Sequence, residues 1–97
     1  MKNEKTEKQI VNEILKYLNS VDKCRAVKIH GGMYGNAGEP DIDCVYKGRA
    51  IKIEVKRKGN KPSKIQEIVL DQWSRAGALS AWVTDVEQVK MIIQSLS

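Results

Sequence analysis

Two runs of alternating apolar and polar residues, DIDCVY (41–46) and RAIKIEVKR (49–57), flank the dipeptide Lys47-Gly48. Alternation with a period of two is the mark of a strand buried on one face, and two such runs joined by two residues ending in Gly predict a tight antiparallel hairpin. If Lys47 and Gly48 form the loop, facing residues have numbers that sum to 95. Tyr46 then faces Arg49, Cys44 faces Ile51 and Ile42 faces Ile53, which gives one apolar face. Asp43 faces Lys52 and Asp41 faces Glu54 on the other face. A slip of one residue would turn the whole apolar set to solvent, so this register is strongly specified.

The remaining elements arrange themselves around the hairpin. Ile10, Val11, Ile14, Leu15 and Leu18 recur at helical spacing and predict a helix over 6–19. Residues 24–30 read as a short strand, and the glycine-rich stretch 31–39 as a loop, with His30 just before it and Tyr34 within it, either of which could touch a DNA backbone or simply pack or face solvent. After the break at 59–62, Ser63 opens a second helix through the capping box Ser63-x-x-Gln66, with Ile65, Ile68, Val69, Trp73 and Ala76 as its apolar residues and Gly77 at its end. Residues 79–84 read as a buried strand. Thr84-x-x-Glu87 is expected to cap a last helix with Val86, Val89, Ile93 and Leu96 inward. Trp73 and Trp82 fall at apolar positions and are expected in the core or at a dimer interface. The order α-β-β-β-α-β-α predicts an α/β fold, a small mixed sheet flanked by helices, as a single domain over 1–97.

A chain of 97 residues buries a modest core, so a dimer that shares apolar surface would help its stability. No apolar run approaches the roughly 20 residues needed to span a bilayer. The lysine-rich start has no apolar segment behind it and is not a secretory signal. The expectation is a cytoplasmic protein with no membrane partner. Cys24 and Cys44 lie in apolar-rich strands without metal-ligand spacing, where free cysteine acts as a small hydrophobe. Net charge is +5, and between Lys47 and Lys64 eight basic residues surround a single acid, Glu54. Such a run fits a solvated surface equally well as a surface that reads a phosphate backbone.

The opposed acids carry the chemistry. Directly facing side chains have Cβ atoms about 4.5–5.5 Å apart, and like charges there destabilise a sheet. Asp41 and Glu54 therefore need a compensating cation, and Mg²⁺, a hard ion held by one or two carboxylates with phosphate and water, is the natural candidate. Lys56 projects from the same face as Glu54, where it can hold a water or steady charge on a phosphate oxygen. The spacing alone also fits a surface salt-bridge ladder of Asp41, Glu54 and Lys56. Helical geometry turns Glu7 toward the apolar stripe of the first helix and Glu13 away from it, although an acid at a helix start also suits the helix dipole.

The segments Gly38-Glu39-Pro40-Asp41, Glu54-Val55-Lys56 and Ser63-x-x-Gln66 together resemble the signature of the PD-(D/E)xK nucleases, and most closely the VRR-NUC (virus-type replication-repair nuclease) family. The resemblance runs from about Glu7 to the last helix. It implies a Mg²⁺-dependent DNA endonuclease, with Mn²⁺ expected to substitute. Asp41, Glu54 and the backbone carbonyl of Val55 would be metal ligands, with Glu7 binding directly or through water. Lys56 would be the catalytic lysine, and Gln66 would reach the site from the second helix. Lys52, Arg57, Lys58, Lys61 and Lys64 would meet DNA. The small stand-alone phage members imply a homodimer acting on branched DNA such as four-way (Holliday) junctions, in a bacterial or phage-infected cell. A sequence-specific restriction-type endonuclease and a non-catalytic DNA-binding module are the alternatives. The first would need base-reading elements that the chain does not offer, and the second gives no reason to keep opposed acids.

Overall fold

The computed structural model describes residues 4–30 and 37–97. The segment 31–36, expected to be part of a loop, lies outside them, and so does Tyr34. Seven elements follow in the expected order: α1 (Glu7–Ser20), β1 (Cys24–Lys28), β2 (Ile42–Tyr46), β3 (Arg49–Val55), α2 (Lys64–Arg75), β4 (Leu79–Val83) and α3 (Val86–Leu96). The four strands form one sheet in the order β1-β2-β3-β4, antiparallel except for the β3–β4 pair. Parallel neighbours need a crossover, and α2 supplies it. No helix among the described residues is long and apolar enough to cross a membrane.

The hairpin register is the one the alternation predicts. Ile42 pairs with Ile53, Asp43 with Lys52, Cys44 with Ile51 and Tyr46 with Arg49. Lys47 and Gly48 both have positive φ, 50° and 82°, the twist that a two-residue turn needs to continue into right-twisted strands. Register therefore divides the sheet into two chemically different faces.

One face is the core. Ala26, Ile42, Cys44, Tyr46, Ile51, Ile53, Val55 and Val83 pack against Ile10, Val11, Ile14 and Leu18 of α1 and against Val89 and Ile93 of α3. Leu15, placed in the α1 stripe by spacing, is only partly buried at its edge. Thr6 caps α1 through a capping box with Gln9, a substitution-sensitive feature that contributes about 1 kcal/mol. Both cysteines are free, with their sulfurs 3.5 Å apart across β1 and β2. Burial and the neighbouring Cys24 push the Cys44 thiol up to about 12, so it is inert packing.

The other face carries Asp43, Lys52, Glu54 and Ser80 and is covered by α2 over β3 and β4. Ser63 caps α2 through the expected capping box with Gln66. The apolar residues of α2 fall differently from expectation. Val69 and Leu70 are its buried residues, while Ile65 and Ile68 are exposed and Ala76 faces solvent. A helix lying on a polar sheet face buries only a narrow seam, and Gln66 and Trp73 take places in that seam that an all-apolar stripe would have held. Trp82, expected in the core or at a dimer interface, is not in the core: it lies on the edge strand β4 and is exposed. The cap of α3 also shifts by one residue. Asp85, not Thr84, is the N-cap and accepts from the Gln88 backbone, while the Gln88 side chain accepts from Thr84. Asp, Ser and Thr are all competent caps, so adjacent candidates are separated only by where the strand ends.

Candidate active site

Asp41 lies one residue before the last regular β2–β3 pair, Ile42 with Ile53. The N–H of Ile29 donates to the Asp41 carbonyl, and Oδ2 of Asp41 accepts from the backbone N–H of Val55 at 2.8 Å. This bond folds the Asp41 carboxylate over the end of β3, beside Glu54. Glu54 is only 2% exposed, and it is the buried charged residue among those described. Burial, then the Asp41 carboxylate, push its carboxyl up to about 7, while the Lys56 ammonium opposes the shift.

Three groups converge on Glu54. Lys56 Nζ lies 3.4 Å from its Oε2, with both side chains largely buried. Gln66 donates from Nε2 to the same oxygen at 3.0 Å. Asp41 is the third. The other oxygen, Oε1, is buried without a hydrogen-bond partner. An orphaned carboxylate oxygen in a protein interior calls for a ligand or an ion. Two adjacent carboxylates, one with a spare oxygen, are hard-oxygen donors that fit Mg²⁺ or Mn²⁺, and the Val55 carbonyl expected from the sequence would add a third donor of the same kind.

Glu7 occupies a different place. It lines a cavity of about 430 Å³ with Val11, Lys28, His30 and Asp41. Among the described residues no three His, Cys, Asp or Glu side chains stand close enough to hold a metal between them, so Glu7 approaches Asp41 without closing on the pair.

The basic residues divide. Arg57, Lys58 and Lys61 are exposed on the connection from β3 to α2, and Lys64 is exposed as the first residue of α2; the connection leads directly away from Lys56. Arg57 reaches Glu4 at 3.4 Å. Lys52, expected to meet DNA, is placed differently from these four. Its side chain is 13% exposed, its ammonium lies 2.8 Å from Asp43, and it stands 4.0 Å over the ring of Trp73. No sequence pattern pointed to the bond between Trp73 and Glu39, in which the indole N–H donates to Oε1 at 3.0 Å. Glu39 adjoins Pro40-Asp41, but nothing in a linear pattern links it to a tryptophan 34 residues later.

With this geometry the chain can be set against solved structures. It shares its fold with one described as a VRR_NUC domain, at a TM-score of 0.76 and 21% identity, over 91% of this chain and 94% of that one. A second, described as a VRR_NUC domain protein, matches at a TM-score of 0.74 and 17% identity, over 95% of this chain and 88% of that one. No protein-family model matches the chain, and no curated protein matches it significantly. The fold is thus the VRR_NUC fold.

Proposed function

We propose that this protein is a Mg²⁺-dependent DNA endonuclease of the VRR-NUC type, acting on branched DNA such as four-way junctions, as a homodimer. The observation that carries this reading is the convergence of Asp41, Lys56 and Gln66 on a buried Glu54 that keeps one oxygen unpartnered. Asp41, Glu54 and the Val55 carbonyl would hold the ion, with Glu7 acting through water from the wall of the adjoining cavity. Such an ion, when bound, lowers the pKa of a water and polarises the phosphoryl group. Lys56 orients a water or balances charge that builds on a phosphate oxygen. Gln66 holds Oε2 of Glu54 and so fixes the direction of Oε1. The exposed cations from Arg57 to Lys64 give the phosphate backbone a surface to lie on.

The test is a cleavage assay on a four-way junction, a flap and plain duplex, with and without Mg²⁺, using wild type, Glu54→Gln and Lys56→Ala. Cleavage of the branched substrates by wild type in Mg²⁺, lost in both folded variants, is the expected result. Full activity in either folded variant overturns the site, and equal cutting of plain duplex overturns the branched preference.

A further inference from the structure

We propose that Trp73 is a positioning residue that fixes the Asp41 arm of the site and keeps Lys52 away from the carboxylates. This rests on the nuclease reading above. Helix α2 touches both arms of the acid pair. Gln66 holds Glu54 on β3. Trp73, seven residues on and therefore on the same side of the helix, holds Glu39 at 3.0 Å. Glu39 is joined to Asp41 through Pro40, a buried residue whose ring locks its φ. Fixing Glu39 therefore restrains Asp41. The same segment meets α2 once more at Gly38, which lies against Ile65. One rigid helix thus spans both acids and sets their separation.

The ring of Trp73 has a second consequence. Lys52 lies two residues before Glu54 on the same face of β3, roughly 7 Å along the strand. A lysine stem easily covers that distance. Its ammonium is instead held between Asp43, at 2.8 Å, and the Trp73 ring, at 4.0 Å. Released, it would compete with a cation for the two carboxylates.

The substitutions separate these contributions. Trp73→Phe keeps a ring for Lys52 and removes the hydrogen bond to Glu39. Glu39→Ala removes the same bond from the loop side and serves if Trp73→Phe does not fold. Glu39→Gln keeps an acceptor for the indole. Trp73→Leu removes the bond and the ring together. Each is measured for Mn²⁺ affinity by calorimetry on the metal-free protein, and for kcat and KM on the cleaved junction across a Mg²⁺ titration.

Outer partners of a metal site typically change affinity or activity by about 10–100-fold. The expected result is a drop of roughly tenfold or more in Mn²⁺ affinity and kcat for Trp73→Phe and Glu39→Ala, with KM for DNA unchanged. Glu39→Gln restores wild-type values. Trp73→Leu is weaker still, and adding Lys52→Gln to it recovers part of the Mn²⁺ affinity. Wild-type Mn²⁺ affinity and kcat in folded Trp73→Phe and Glu39→Ala, with Glu54→Gln inactive, overturn the inference and leave the nuclease reading intact. Activity in Glu54→Gln overturns the reading itself.

Discussion

Gln66 donates from Nε2 to Oε2 of Glu54 at 3.0 Å while its own Oε1 accepts from the Ser63 backbone at 2.8 Å. One side chain thus closes the N-terminus of α2 and grips half of a buried acid. The other half, Oε1, has no partner, and the cost of that arrangement can be measured.

Glu54 titrates at about 7 in the folded protein, against an ordinary 4.5. The fold therefore binds the proton more tightly than the unfolded chain does. The resulting stability is fully present below about pH 4.5 and is lost as pH rises through 7, beyond which the penalty is constant. The loss is on the order of 1–3 kcal/mol. In metal-free protein, Glu54→Gln is expected to match wild type near pH 4.5 and to exceed it well above pH 7. For a domain of this size the difference is several degrees in Tm. Thermal unfolding in chelator across that range is the measurement, and a gap that does not change with pH would show that Glu54 does not ionise there.

Gly38 holds a φ of +83°, and a Cβ built on it lies 3.0 Å from Ile65 Cγ1 and 3.1 Å from the Ile65 carbonyl oxygen. Gly38→Ala therefore combines left-handed strain with a clash against backbone, on the order of 1–3 kcal/mol, and displaces the segment that carries Asp41. Lower Tm and slower cleavage are both expected. Gly59 also has positive φ, +93°, but open space around it. Gly59→Ala should cost about 1–2 kcal/mol and leave the rate per folded molecule unchanged. Equal rates in the two variants would mean that the packing of Gly38 on Ile65 does not position Asp41.

The hairpin was legible in the sequence because period and turn chemistry fix it together. Alternation gives the faces, Lys47-Gly48 gives the turn, and the pairing of Asp43 with Lys52 and of Ile42 with Ile53 follows by counting. The capping box at Ser63 and Gln66 was legible for the same reason, being local. What α2 buries was not. Ile65 and Ile68 look like core residues by spacing, yet the helix rests on a polar face and turns Gln66 and Trp73 inward. Lys52 reads as one cation among eight, and only the tertiary placement of Trp73 withdraws it. Linear patterns carry local geometry, whereas long-range polar pairs such as Glu39 with Trp73 leave no periodic trace.

That withdrawal of Lys52 distinguishes it from its neighbours in DNA binding. Lys58, Lys61 and Lys64 are exposed, so replacing all three by Ala should weaken binding and flatten its salt dependence. The slope of log affinity against log salt changes by about 0.9 for each phosphate no longer neutralised in B-form duplex. Lys52→Gln should leave that slope as it is. Fluorescence anisotropy in Ca²⁺, over a series of salt concentrations, measures both. An unchanged slope in the triple variant would remove the β3–α2 connection from the binding surface.

The two acids of α1 offer the sharpest contrast. Glu7, in the first turn, lines the cavity that Asp41 also lines. Glu13 is paired with Lys5 at 2.7 Å, with both side chains more than a third exposed. On stability the two are close. Glu7→Gln loses a helix-dipole interaction of about 0.3–1 kcal/mol, and Glu13→Gln loses a surface ion pair of about 0–1 kcal/mol. On activity they should separate. In the proposed reaction, a carboxylate that shares a cavity with Asp41 would support an ion there through a bridging water, and an outer partner of that kind is worth roughly 10–100-fold. Glu7→Gln is therefore expected to slow cleavage by that factor and to raise the Mg²⁺ concentration needed for half-maximal rate. Glu13→Gln should stay near wild type in both. The measurement is a Mg²⁺ titration of the cleavage rate for each variant, with circular dichroism to establish equal folding. If Glu7→Gln cuts at the wild-type rate with the wild-type Mg²⁺ requirement, the cavity between α1 and Asp41 plays no part in the reaction, and the ion must be held without Glu7.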